Sequence, residues 1–226
     1  MNVSLERSIV VLEPMVNRLV LVGRHVTDLL VTDRATVKTR PLFSVDAVVT
    51  ALSYSTRDRL TRDLPRLGLR PETRPDGLTG RWITEDGAII ELIASDDPPG
   101  GTPNPWHEYA LECTVSVSLG AYVVRVAGAP AFLALRLAEF SEQKAESIGP
   151  CAALEDALTV LNGRPGVDRE VAAAPADVRR FIAERASTLS RRPDADSLLE
   201  LHIPDAARFP QLAVTSLKRL RTLAAL

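Results

Sequence analysis

The stretch "RLVLVGRHVTDLL" (residues 18–30) places a short apolar run directly before a single glycine. Alternating Leu and Val up to Gly23 is typical of a buried strand, and residues 24–34 have the composition of a helix. The first N–H groups of a helix are unpaired and carry partial positive charge. A strand, a glycine turn and a helix in this order therefore predict an anion-binding turn, in which Arg24 directly follows Gly23.

Acidic residues lie on two later segments of the front half. A strand is predicted at residues 45–50, with Ser44 before it and Asp46 near its start. Residues 80–95 form a predicted hairpin around an Asp-Gly turn, and Glu91 lies on its second strand. The other strands and helices predicted in the front half are strands 114–119 and 122–127 and helices 4–17 and 55–68.

The character of the sequence changes at residue 129, where segments rich in Ala, Leu, Arg and Glu begin. The apolar spacing predicts helices at residues 130–143, 151–162, 167–173, 175–190 and 211–225. The sequence thus predicts an α+β protein with an α/β domain at 1–128 and a helical domain at 129–226. We expect a mixed β-sheet flanked by helices, followed by a C-terminal helical bundle.

Composition excludes several classes of function. The chain has 226 residues, 46% of them hydrophobic, and a net charge of −2, which argues against nucleic-acid binding through bulk charge. No apolar run approaches the roughly 20 residues that cross a bilayer, and the N-terminus lacks signal-peptide features. We therefore expect no membrane partner and a cytoplasmic location.

Several segments resemble the nucleotidyltransferase superfamily, and most closely the AbiEii-like nucleotidyl transferases of bacterial abortive-infection and toxin–antitoxin systems. In that family a strand runs into Gly-Gly at a helix start, an Arg-x-Thr-x-Asp-x-Asp segment opens the next strand, and a third Asp lies on a later hairpin strand. The resemblance spans about residues 18 to 190. The corresponding segments here are "VGRHVTDLL" (22–30), "TRP" (39–41), "VDAVV" (45–49), "IIELIASD" (89–96), "APAFLALRLAEF" (129–140), "LEDALTVLNGR" (154–164) and "VAAAPADVRRFIAE" (171–184).

The resemblance implies transfer of a nucleoside monophosphate from a nucleoside triphosphate (NTP) to an acceptor. Such transfer uses two divalent ions that hold the attacking and leaving oxygens in line. Mg²⁺ takes oxygen ligands in near-octahedral geometry, so carboxylates two residues apart on one strand share the ions. The expected cofactors are Mg²⁺ and NTP if the protein is active, and none otherwise.

The family's functional positions are incompletely kept in this sequence. Asp46 is retained and Glu91 aligns with the third carboxylate, so these two are the candidate catalytic and metal-binding residues. The first carboxylate is replaced by Ser44, the second glycine by Arg24, and the family's helical Lys by Arg136, a cation that does not replace Lys at a tight site. The candidate phosphate- or anion-binding residues are Gly23, Arg24, Arg40, Ser44 and Arg136.

Each candidate also has a plainer interpretation. Asp46 is either a metal ligand or a strand-end carboxylate paired with Arg40 or Arg24. Glu91 is either a ligand or a polar residue on the solvent face of its hairpin. Arg24 either binds an anion or fills the former phosphate space, and Arg136 either contacts an anion or lies at the edge of a core with its charged end in water.

Three functions follow as hypotheses. The first is a nucleotidyltransferase-fold protein with lost or strongly reduced nucleotide transfer, acting by binding a nucleotide, another anionic ligand, RNA or a partner protein. The second is an active, divergent enzyme that modifies RNA, a protein or a small molecule, so that the sequence leaves enzymatic activity uncertain. The third is a non-enzymatic nucleic-acid-associated or scaffold protein that uses the basic stretch at 57–74 as its contact face.

Overall fold

The structure, a computed structural model, describes residues 3–33, 44–49, 62–72, 80–94, 104–142, 151–203, 206 and 208–226, and of residues 44–49 it describes the backbone. The strands are β1 (Leu19–Leu21), β2 (Ser44–Val49), β3 (Arg70–Pro71), β4 (Arg81–Ile83), β5 (Ile89–Ala94), β6 (Thr114–Leu119) and β7 (Tyr122–Ala127). The helices are α1 (Val3–Leu12), α2 (His25–Leu30), α3 (His107–Glu112), α4 (Ala129–Glu142), α5 (Ala152–Gly163), α6 (Val167–Ala172), α7 (Ala176–Ser190), α8 (Ala195–His202) and α9 (Gln211–Leu223). Two 3₁₀-helices span Glu13–Arg18 and Leu64–Leu67.

Within the described residues, the strands form one seven-stranded mixed sheet in the order β3-β4-β5-β2-β1-β7-β6. The β1–β7 and β2–β5 pairs are parallel, and the other neighbouring pairs are antiparallel. All three residues of β1, an interior strand of the sheet, are buried. This arrangement confirms the predicted α+β fold class.

The chain divides into two compact units. The sheet unit comprises residues 1–26 and 41–127, and the helical unit comprises residues 27–40 and 128–226. The predicted boundary at residue 128 lies where the second segment of the helical unit begins, whereas residues 27–40 join that unit from the front half of the chain.

Local chemistry explains the hairpins of the sheet unit. Gly87 follows Asp86 with φ of 84° and Gly120 joins β6 to β7 with φ of 58°, backbone conformations that favour glycine. In the first turn, the Thr84 hydroxyl donates to Asp86 at 2.5 Å, and this bond lowers the pKa of the Asp86 carboxyl from its usual value. An ion pair with Arg7 at 3.2 Å lowers it further.

Some local expectations differ from the structure. The helix predicted at 4–17 is α1 followed by a 3₁₀-helix, because Pro14 lies at the start of the second segment and cannot donate a backbone N–H. Helices α3 and α8 were not predicted from the sequence. Part of the helix predicted at 55–68 lies outside the described residues, and its end is the 3₁₀-helix closed by Gly68 with φ of 78°.

In the helical unit, α4 contacts α5, α6 and α7. The Gly-Arg pair at residues 163 and 164 attaches the segment after α2 to this unit. The N–H groups of Thr32 and Asp33 both donate to the Gly163 carbonyl at 2.9 Å. Arg164 donates to the Leu30 carbonyl at 2.9 Å and to Glu170 at 2.8 Å. These bonds explain why residues 27–33 group with the helical unit.

No helix in the described part of the chain combines the length and the apolar character needed to cross a membrane.

A Gly163→Ala substitution should destabilise the protein by about 1–3 kcal/mol, the usual cost of overpacking a core. An added Cβ would lie 2.7 Å from Val31 Cγ1, and the β-branched valine has little rotamer freedom with which to move away. Chemical denaturation of the purified variant measures the change. The double variant Gly163→Ala with Val31→Ala should recover part of the loss, and a Gly163→Ala protein as stable as the wild type would contradict the close contact.

Candidate functional site

The carboxyl end of β1 carries the predicted glycine turn. The N–H of Val26 donates to the Gly23 carbonyl at 2.9 Å, and α2 begins at His25. Gly23 is buried and Arg24 is half-buried. The strand, the glycine and the helix predicted from the sequence therefore occur in that order, with Arg24 in the turn itself.

Strand β2 brings Asp46 to the same end of the sheet. It runs antiparallel to β1, with Leu21 opposite Ala47. The preceding residue, Asp46, therefore lies level with the backbone that leaves β1 towards Gly23. The glycine turn and Asp46 are therefore neighbours at this end of the sheet.

Strand β5 places Glu91 next to Asp46. The two strands are parallel, and their register pairs Asp46 with Glu91 and Ser44 with Ile89. The sheet thus makes neighbours of the two candidate carboxylate residues, although they are distant in sequence. At the missing carboxylate position, a serine is paired with an apolar residue.

On the other side of β5, the backbone register places Arg81 of β4 opposite Glu91. Neighbouring residues in these strands alternate between two environments. Trp82, Ile90 and Leu92 are buried, whereas Arg81 and Glu91 are half-buried on the opposite face. Arg81 and Glu91 therefore belong to the more open face of the sheet.

Arg81 also forms an ion pair with Glu72. Its Nε lies 2.9 Å from Glu72 Oε2, and each side chain is 26% exposed. The N–H of Glu72 donates to the Arg81 carbonyl at 2.9 Å, which holds the two backbones together. We call the line Asp46, Glu91, Arg81 and Glu72, which crosses four neighbouring chain segments, the charged row.

Sequence reasoning missed Arg81 and Glu72. One signal was available: the predicted hairpin carries a charged residue on each arm, Arg81 on the first and Glu91 on the second. Pairing across the hairpin follows from the turn, but the participation of Glu72 depends on β3, a two-residue strand with no apolar pattern.

Arg136 lies on α4 in the helical unit and is 9% exposed. Its Nη1 donates to Glu139 at 2.5 Å, and its Nε lies 4.0 Å from Asp156 Oδ2. The guanidinium lies 5.3 Å from the centroid of the Phe132 ring, within the range of a cation–π contact. The structure therefore places Arg136 among acidic and aromatic neighbours of its own unit.

Two further predicted sites are Arg40 and the basic stretch at 57–74. Arg40 lies outside the described residues. Of the basic stretch at 57–74, residues 62–72 are described, and there Arg66 pairs with Asp63 at 3.0 Å on the surface. Among the side chains that the structure describes, no group of three or more His, Cys, Asp or Glu residues is arranged to hold a metal ion.

Comparison with known proteins identifies the fold. No family model and no curated protein matches the sequence. The chain is similar to the crystal structure of an antigenic nucleotidyltransferase-like protein from Paracoccidioides brasiliensis, with a TM-score of 0.50 and 16% identity over 92% of this chain and 97% of that chain. At this identity the likeness concerns the fold alone. The protein thus has a nucleotidyltransferase-like fold, as the sequence predicted.

Replacing Arg136 with Met should destabilise the protein by about 1–3 kcal/mol, because it removes the cation beside the buried Asp156. Thermal and urea unfolding measure the effect. Arg221→Met removes the same charge from an exposed position on α9 and should change stability by less than about 0.5 kcal/mol. Adding Asp156→Asn to Arg136→Met should recover stability. Equal losses of stability in Arg136→Met and Arg221→Met would show that the buried pair contributes no more than an exposed arginine.

Proposed function

We propose that this protein is a nucleotidyltransferase-fold protein with lost or strongly reduced nucleotide transfer, which acts by binding an anionic ligand such as a nucleotide, or a partner. The proposal extends the sequence resemblance to the AbiEii-like transferases of bacterial toxin–antitoxin systems, in which this chain would be a cytoplasmic pseudoenzyme. The observation that carries the proposal is the backbone register of three strands. It places Asp46 of β2 and Arg81 of β4 on either side of Glu91 in β5.

The donor set does not fit a two-ion site. Two ions about 3.5–4 Å apart require shared carboxylates to offset their charge. Ser44 supplies a neutral hydroxyl at the position two residues before Asp46, where the family has a carboxylate. The remaining donors in the row are Asp46 and Glu91, and one of them has an arginine as its register partner.

Nearby cations weaken the attraction of the site for a metal ion. Two unit charges about 4 Å apart interact by about 4 kcal/mol at an effective dielectric constant near 20, before desolvation is counted. Arg81 lies in the charged row, and Arg24 lies in the turn at the same edge of the sheet. Each cation offsets part of the negative charge that would otherwise attract Mg²⁺.

The same cations favour binding of an anion without metal. Arg24 is half-buried at the glycine turn, where an approaching phosphate or carboxylate would meet a positive side chain. Arg40 belongs to the proposed anion-binding set through the resemblance. Binding would thus persist where the metal-dependent chemistry has been lost.

The test compares transfer with binding. With each radiolabelled NTP, Mg²⁺ and RNA or protein acceptors, the wild type should label acceptors no more than Asp46→Ala does. Equilibrium dialysis without Mg²⁺ should detect NTP binding that weakens about tenfold in Arg24→Met, the loss expected for one charge-assisted hydrogen bond. Arg62→Met, at an exposed position in the same unit, is the charge control.

Robust labelling by the wild type that Asp46→Ala abolishes would contradict the proposal and establish an active enzyme, with Asp46 and Glu91 as its metal ligands. Absence of both labelling and NTP binding would exclude a nucleotide as the ligand and leave another anionic ligand or a partner.

A further inference from the structure

The two edge strands of the seven-stranded sheet have opposite character. Within the described residues, β3 forms one edge of the sheet and β6 forms the other. Strand β3 consists of Arg70 and Pro71, and both are exposed. A short strand, a charged side chain and a proline without a backbone N–H all discourage a further strand from pairing there. The β3 edge is therefore protected against association with another chain.

Strand β6 has none of these protective features. Its six residues, Thr-Val-Ser-Val-Ser-Leu, include no charged residue and no proline. Its register with β7 runs without interruption from Thr114 to Leu119, so no bulge turns the strand away from a neighbour. By the rules that protect natural sheet edges, β6 is an unprotected edge.

The outer side of β6 offers backbone groups and open side chains. Residue pairs in an antiparallel ladder alternate, so half of the residues of β6 direct their N–H and C=O groups away from β7. In the described part of the chain, no strand pairs with this outer side. The side chains of Val115, Ser116 and Ser118 are exposed, so both faces of the strand are open at this edge. An added strand would therefore find unhindered backbone partners.

The sequence of β6 matches itself under two-fold symmetry. Two copies can pair antiparallel with Val117 opposite Val117 at the symmetry axis. Val115 of each copy then lies opposite Leu119 of the other, and Ser116 lies opposite Ser118. Apolar residues meet apolar residues, serines meet serines, and no like charges are opposed. This self-complementarity is what a two-fold interface between identical chains requires.

We propose that β6 is a dimerisation edge, at which a second copy of this chain adds its own β6 antiparallel and joins two sheets into one. Backbone hydrogen bonds supply the affinity in such strand addition, and the side-chain pairs fix the register. Because a six-residue strand buries little area, the dimer is weak and depends on concentration. The inference is independent of the proposed function, since it involves no residue of the anion-binding set.

Sedimentation of the full chain over a concentration series tests the proposal. The wild type should change reversibly from monomer to dimer as its concentration rises. Ser116→Lys should remain monomeric at the same concentrations, because the two lysines become diagonal neighbours across the symmetry axis. Val10→Lys adds the same charge at an exposed position of α1 and should dimerise like the wild type.

A charge exchange separates loss of strand pairing from a folding defect. Ser116→Glu should also be monomeric by itself. An equimolar mixture of Ser116→Lys and Ser116→Glu should recover the dimer, because opposite charges then face each other across the axis. A mixture of the two folded variants that stays monomeric overturns the antiparallel pairing.

Hydrogen exchange of the wild type gives a test that needs no variant. The backbone amides of residues 114–119 should exchange more slowly at high protein concentration than at low, and those of β3 should not change. A dimer without this added protection, or one that Ser116→Lys leaves intact, uses another surface and overturns the proposal. A wild type that is monomeric throughout also overturns it, and the edge would then be open to an extended segment of a different protein.

Discussion

The parallel pairing of β2 with β5 sets two carboxylate residues, Asp46 and Glu91, side by side in one sheet. Like charges paired across neighbouring strands destabilise a sheet, so this backbone placement favours a cation nearby. A metal-dependent enzyme meets the requirement with divalent ions. Two arginines lie near this pair along the backbone: Arg24 in the glycine turn after β1, and Arg81 as the register partner of Glu91 on β4. In the proposed function, the identity of the cation is what distinguishes a binding site from a catalytic site on this fold.

An arginine in place of a metal ion would change the chemistry available at this end of the sheet. A metal ion bridges a triphosphate to the protein and stabilises charge that develops during transfer. An arginine offers directional hydrogen bonds to phosphate or carboxylate oxygens, but it has no exchangeable coordination site for an attacking oxygen. Ser44 adds a neutral hydroxyl where a further ligand would be needed. This difference between an arginine and a metal ion is the physical basis of the proposed function, in which the chain binds an anion and does not transfer a nucleotide.

The sequence predicted the elements whose signals are local. Strands β6 and β7 have the predicted bounds, since alternating β-rich residues and Gly120 define a hairpin without outside information. Glu91 was correctly placed on a hairpin strand for the same reason. Pairing between distant segments carries no comparable signal, so the ion pair of Arg81 with Glu72 was missed. Helix α8 was also missed because the preceding segment reads as a break, although Arg192 and Asp194 form a two-bond ion pair there, at 2.8 and 2.9 Å.

The central claim is that Asp46 and Glu91 no longer hold divalent ions. The most direct measurement is a crystal structure of the wild-type protein grown with Mn²⁺ and a non-hydrolysable NTP, with anomalous scattering used to locate manganese. The account predicts no manganese peak between the two carboxylates, and any bound triphosphate in contact with Arg24 at the glycine turn. A manganese peak bridging Asp46, Glu91 and the triphosphate would contradict it and restore this edge of the sheet as a metal-dependent active site.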